Sequence, residues 1–496
     1  MHNAAREAAV RRAWLAARHE NPDDWERLIY AVEDDDVAQT AAALRSGRID
    51  VNAPLNAATR ESLLDLAAGG SQPEVVRLLL EQGAHARAQP GEQVDVHPIA
   101  NAILALGVTI ADPHITNPYT GATETAAGSA AILRLLLAAG ADPDARLSQG
   151  MDDLTPLGSL MQIPRFDGDL ALARQMVHDG ARVDGIDGVS SPLVLAIQRG
   201  NQDYAQLFLD IGRVSVGGLN DALIAAAEVP NGLLVARLLA AGADPDTSSS
   251  GRPLLCRALL TSQQQTIALA LLTHGANANA DCGAEQTPLT LADDTNHPLI
   301  DVLVSRGGRL GVPANERADL AAHGVYPGPL TWAVVHHHDY AAARLLARNP
   351  QWAQAECGLV IYAAASGAKL TLAELLKQGA DPNASTASGV TALMAAAYHG
   401  DTDVLEVLAA QPGIDINRTT PWHFNREFFT PNFEGERPPL RYGSRTALMF
   451  AALSGSVAAT DVLLSHGASA HQTDAEGLRA VDFARSPDVA AVLSAQ

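Results

Sequence analysis

His336, His337, His338 and Asp339 place three imidazoles and a carboxylate in four consecutive positions, a set that invites a metal ion. Adjacent histidines in a tight turn cannot all point at one ion, however, and the spacing of helix-borne zinc ligands is absent. Asp142-Pro143-Asp144 and Asp244-Pro245-Asp246 mimic calcium ligands by composition, but no closing bidentate glutamate follows at loop distance. His423 with Glu427 offers an acid–base pair, yet one imidazole and one carboxylate in a loop make no catalytic constellation. Gly455-Ser456-Val457 lacks the glycines of a nucleophile elbow, and neither G-x-x-x-x-G-K-[ST] nor H-E-x-x-H occurs. The chain is therefore expected to be no enzyme, with no catalytic residue, no metal and no cofactor.

The chemistry that remains is recognition, and it concentrates between Arg418 and Ser444. Trp422, Phe424, Phe428, Phe429, Phe433 and Tyr442 are six of the 21 aromatic residues in a chain of 496. Arg418, Arg426, Arg437 and Arg441 against Glu427, Glu434 and Glu436 leave this stretch at +1, while the whole protein carries −22. Large rings desolvate well and guanidinium forks bind directionally, so these residue types dominate binding hot spots. The candidate partner-binding residues are Trp422, Phe424, Arg426, Phe428, Phe429, Phe433, Arg437, Arg441 and Tyr442. The competing expectation is a loop that folds back and plugs its rings onto its own helices.

Composition bounds the partner. A net charge of −22 argues against nucleic acid, which needs a basic footprint, and against an anionic membrane surface. It favours a basic protein. A hydrophobic share of 47% excludes wholesale disorder, and apolar runs such as Ala130–Ala141 are broken by charges, so no segment is expected to span a bilayer. Met1 to Glu20 has no secretory apolar region and reads as a capping helix over Arg6–Arg18. Cys256, Cys282 and Cys357 are too few and too scattered for a disulfide framework; Cys256 and Cys357 read as buried apolar thiols of a reducing compartment. A cytoplasmic protein is expected, with export lacking a classical signal left open. Arginine outnumbers lysine 32 to 2, an association with GC-rich, bacterial coding sequence.

What positions these residues is a repeat. L-L-x-x-G-A-D-P recurs at Leu136–Pro143, Leu238–Pro245 and Leu375–Pro382, with weaker copies at Leu79–His85, Leu271–Asn277 and Leu463–Ser469. The closing glycines mostly recur at the 30–36-residue interval of a helical repeat, giving roughly thirteen units. Each unit opens on Thr155-Pro156-Leu157, Ser191-Pro192-Leu193, Thr391-Ala392-Leu393 or the like, where a hydroxyl caps a helix and proline suits its first turn. An alanine-rich stretch, a turn such as His399-Gly400-Asp401 and a leucine-rich second helix follow, and glycine supplies the left-handed exit.

These starts, turns and exits resemble the ankyrin repeat over about residues 25–495. The resemblance implies an all-α, ankyrin-type helical-repeat solenoid with finger loops, whose concave side, lined by first helices and finger tips, binds other proteins. The expected organisation is an N-terminal capping helix at 1–24, then an array at 25–495 with insertions at 107–129, 308–328 and 418–444. The 107–129 insertion reads as a polar, solvated loop and the 308–328 insertion as a spacer with a short extra helix at Asn315–Leu320. The expected role is a protein–protein interaction scaffold. An immunity or inhibitor protein, or an exported bacterial effector using the same surface, is the alternative.

Overall fold

The computed structural model describes residues 21–34, 36–45, 49–55, 61–70, 73–87, 97–112, 114, 125–149, 152–186, 189–211, 213–229, 232–261, 264–322, 328–354, 358–386, 389–421 and 443–496. Among them are 26 α-helices and two short antiparallel β-hairpins, Leu147–Gln149 with Asp152–Leu154 and Ser248–Ser249 with Arg252–Pro253. The protein is mostly helical and all-α in class. No helix of the described residues is long and apolar enough to cross a membrane.

Two compact units divide the chain, Met1–Asp244 and Pro245–Gln496. The first holds the helix pairs Pro22–Glu33 with Val37–Arg45, Leu63–Ala68 with Pro73–Glu81, Pro98–Ala111 with Ala126–Ala138, Pro156–Gln162 with Asp169–His178, Pro192–Gln198 with Gln202–Ile211, and Val216–Glu228 with Gly232–Ala240. The second begins with Leu254–Leu259 and Gln265–Thr273, then Pro288–Leu291 and His297–Ser305. After an extra helix, Ala314–Ala322, come Pro329–Val335 with Asp339–Arg348, Leu359–Ala365 with Lys369–Lys377, Ala392–His399 with Thr402–Ala409, and Ala447–Ser454 with Val457–Ser465. A 3-10 turn, Ala480–Phe483, and the helix Pro487–Ser494 close the chain. Within each unit successive first helices pack largely on one another, and successive second helices do the same.

The local causes are those of capped, short helices. Thr155 Oγ1 accepts from the Gly158 amide at 3.1 Å, and Thr391 and Thr446 accept from Met394 and Met449 at 3.3 Å. Each satisfies an amide that the first turn leaves unpaired. At the far end Gly242 and Gly467 take φ of 107° and 93°, and the next amides, Ala243 and Ala468, donate back to Leu238 and Leu463. That six-to-one bond closes the last turn, and only glycine enters it without strain. Ala395, Ala396 and Ala397 are 2% exposed or less, which lets neighbouring first helices approach closely. Leu405 and Leu408, fully buried beside them, each contribute about 2 kcal/mol.

Several expectations need correction. Cys256 and Cys282 are joined by a disulfide, with Cα atoms 5.3 Å apart, so neither is a free apolar thiol. The pair is distant in sequence and meets only because the finger after Gln265–Thr273 folds back on Leu254–Leu259. Among the described residues the first helix is Pro22–Glu33, capped by Asn21, which runs across the boundary expected at 24; the capping helix expected over Arg6–Arg18 lies outside the described residues. The helix Pro98–Ala111 continues through Gly107, so the solvated loop expected from 107 begins as helix; the Ile163 side chain lies 3.7 Å from where a Gly107 Cβ would stand, an ordinary contact. Thr287-Pro288-Leu289 is a further start of the kind expected to cap, but Thr287 does not cap Pro288–Leu291. Its hydroxyl turns to the 308–328 insertion, accepting from the Gly311 amide at 3.2 Å.

Candidate partner-binding site

Asparagine and aspartate at the finger bases form a ladder between consecutive helix pairs. In the first unit, Asn52 donates to the Gly83 carbonyl at 3.0 Å and accepts from the His85 amide at 2.8 Å. Asp144 and Asp184 accept from the amides of Arg182 and Ser215 at 2.9 and 3.0 Å. In the second unit, Asn279 links to Gly307 and Arg309, and Asn383 to Gly413 and Asp415, 30 and 32 residues further on. Asn417 makes the same two bonds, to the Gly467 carbonyl at 3.1 Å and from the Ser469 amide at 2.8 Å, but across 50 and 52 residues. The extra chain is spliced into one finger, and the ladder closes past it.

Where that chain leaves and returns, the backbone is fixed. The Thr420 amide donates to the Arg445 carbonyl at 3.0 Å, the Ser444 amide returns a bond to Thr420 at 2.8 Å, and the Arg445 amide reaches Thr420 Oγ1 at 3.1 Å. Ser444 takes φ of 68°, a left-handed conformation that costs a side-chain-bearing residue about 1 kcal/mol. Arg418 reaches back to the Asn383 carbonyl at 2.8 Å, and Pro421 lies against Gly389, where a Cβ would come within 2.1 Å of its Cδ. The stem is thus clamped to the preceding finger.

It is clamped to the following one too. Ala475 donates to the Gly443 carbonyl at 3.3 Å. The Arg445 side chain is buried over the Phe483 ring, 4.6 Å from its centre, with Asp474 at 3.8 Å. Burial pushes its guanidinium below the ordinary value, opposed by the carboxylates of Asp474 and Glu476. Its Nε and Nη1 find no hydrogen-bond partner among the described residues. Unpaired buried guanidinium nitrogens are costly, so the ion pair with Asp474 is what keeps this charge in place.

All nine candidate residues, from Trp422 to Tyr442, lie outside the described residues. What is described is the clamp on either side of them: Gly389, Thr420, Pro421, Ser444, Arg445, Asp474 and Phe483. Sequence reasoning missed these residues. Thr446-Ala447-Leu448, a start of the same kind as Thr391-Ala392-Leu393, marks where the stem has to end, and nothing local to Arg445 announces a carboxylate from the next finger.

The histidine turn is packing. Trp332 stacks on His336 and His338 at 4.6 and 5.2 Å, and its indole N–H donates to Glu316 of the inserted helix Ala314–Ala322. His336 Nε2 lies 3.7 Å from the same carboxylate. Burial holds the His338 imidazole below its ordinary value, against the pull of Asp294. His297 stacks on Tyr340 at 3.8 Å, and Tyr340 donates to Asp301 at 3.1 Å. No three metal-ligating side chains gather among the described residues. The 308–328 insertion is more than a spacer, since Glu316 and Arg317 tie it to Trp332 and to Glu285.

Compared with known protein families, residues 330–420 match Ankyrin repeats (3 copies). The matched stretch holds the pairs from Pro329–Val335 to Thr402–Ala409 and ends at Thr420, the residue on which the insertion's stem closes. No curated protein matches the chain.

Proposed function

We propose that the chain is a protein-binding scaffold of about thirteen ankyrin-type units, and that it grips a basic partner protein with its first-helix faces, its finger tips and the insertion at 418–444. Ankyrin repeats generally mediate protein–protein interaction and are generally not enzymes. The observation that carries the reading is the Asn417 ladder: it closes across 50 residues, so the aromatic and arginine-rich chain between Thr420 and Ser444 is surplus to stacking. A clamped stem also lowers the ordering cost of whatever the insertion meets. Trp422, Phe428 and Phe429 would supply buried area, and Arg426, Arg437 and Arg441 directional polar contacts. A charge of −22 speeds encounter with a basic surface and makes it salt-sensitive.

Immobilised full-length protein and its Trp422→Ala/Phe428→Ala/Phe429→Ala variant, both checked for fold by circular dichroism, are exposed to extract of the producing cell. Wild type should retain a basic protein at low salt and release it on the order of 0.5 M salt. The triple variant should retain at least about tenfold less, as hot-spot losses of this size imply. Equal retention by both proteins contradicts the role given to the insertion.

A further inference from the structure

The disulfide between Cys256 and Cys282 is a feature the binding reading does not use. Cys256 is the third residue of the helix Leu254–Leu259, and Cys282 begins the turn of the finger that follows that helix pair. Both are 2% exposed or less, packed with Ala280 and Leu291. The Cα separation of 5.3 Å lies within the range that bridged cysteines need.

The repeat shows how specific this placement is. Cys282 donates its amide to the Gln286 carbonyl, as Thr386 does to Val390 and Asp474 to Leu478 in later fingers. The matching third helical residues are Ile361 and Met449. Two equivalent pairs of positions therefore hold Ile361 with Thr386 and Met449 with Asp474. In one unit both positions are cysteine. A single buried cysteine would be a small apolar residue, but cysteines at both facing positions form a cross-link.

The finger it holds is strained. Gly283, Ala284 and Glu285 take φ of 91°, 51° and 63°, so two residues bearing side chains sit in the left-handed region in succession. All three are exposed. Glu285 is paired by Arg317 of the inserted helix, and Gly311 lies so close that a Cβ there would come within 2.1 Å of the Glu285 carbonyl.

We propose that this cystine is a permanent staple holding the 281–286 finger in its strained, displayed form, and that the protein folds and works in an oxidising compartment outside the cytoplasm. Forming the bond takes one hydrogen from each thiol. Two electrons and two protons pass to a disulfide-bearing oxidant, whose own S–S bond breaks and which is left as its dithiol. A compartment that keeps such an oxidant charged retains the bond, whereas a thiol-reducing cytoplasm runs the exchange backwards. The cytoplasmic expectation from sequence rested in part on reading Cys256 as a free thiol, and that part of its basis is gone. The inference is independent of which partner is bound.

Cells producing the full-length chain are quenched in acid, blocked with a maleimide before lysis, fractionated and digested without reductant. The expected result is that a peptide joining Cys256 to Cys282 accounts for nearly all of both cysteines, in the fraction outside the cytoplasmic membrane. Maleimide on Cys256 and Cys282 in most molecules, or a protein confined to the cytoplasm, overturns the proposal. The staple itself is read by amide exchange on purified protein before and after reduction under native conditions. Exchange across 281–286 should rise at least about tenfold while the helix Thr402–Ala409 is unchanged. If the Cys256→Ala/Cys282→Ala variant folds, it should match the reduced protein. No change in the finger on reduction overturns the staple.

Discussion

Asp169 is 3% exposed and would be pushed upward by burial, but hydrogen bonds from Arg165, Tyr204 and the Leu170 amide outweigh that and hold its carboxyl below the usual range. A depressed carboxylate contributes stability that is present above its unfolded pKa and lost as pH falls through its folded one. Asp169→Asn should therefore cost about 1–2 kcal/mol at pH 7, a value discounted because Arg165 is partly exposed. The gap to wild type should shrink as pH drops below about 4, where the unfolded chain takes the proton first, and should close as the folded carboxyl titrates at lower pH. Urea melts at pH 7 and pH 2.5 check this, and a gap that widens in acid contradicts it. Gly389 offers a second residue-scale test. Gly379→Ala, at φ of 83° with open space around it, should cost only the backbone term of about 1 kcal/mol. Gly389→Ala, at φ of 74° and meeting Pro421, should cost about 1–3 kcal/mol more, because its Cβ cannot fit without moving the stem. Equal costs would mean that Pro421 gives way freely.

At the scale of elements, the ladder makes a comparison possible inside one molecule. Asn383→Ala and Asn417→Ala each remove two hydrogen bonds of nearly the same geometry, so each should lower stability by about 1–2 kcal/mol in denaturant melts. A neutral Asn417→Ala would show that the insertion has cut its finger loose. These elements were legible in sequence where their causes are local. Thr391 caps the helix it precedes, and Gly467 ends the helix it follows, within a few residues. The helix at Ala314–Ala322 was visible as Asn315–Leu320, but its docking through Glu316 and Arg317 was not, because the partners come from other elements. Polar composition misread the start of the 107–129 insertion, because a helix already begun carries through Gly107 to Ala111. The cystine and the Arg445–Asp474 pair stayed hidden for the same reason, since each joins residues that only the folded finger brings together.

Across the whole molecule, the surplus of 22 negative charges and the insertion make separable predictions. If the proposed basic partner is met through charge, association should slow steeply between about 50 and 500 mM salt, while dissociation changes little. On the proposed reading the insertion governs hold, and it should then set the dissociation rate. We propose that the chain between the clamped ends serves a partner and not the fold. This is tested most directly by replacing residues 423–441 with a short Gly/Ser linker and measuring thermal unfolding and partner capture on the same preparation. The expected result is a melting temperature within about 2 °C of wild type and capture reduced at least about tenfold. A melting temperature lower by about 10 °C, or capture equal to wild type, would contradict it.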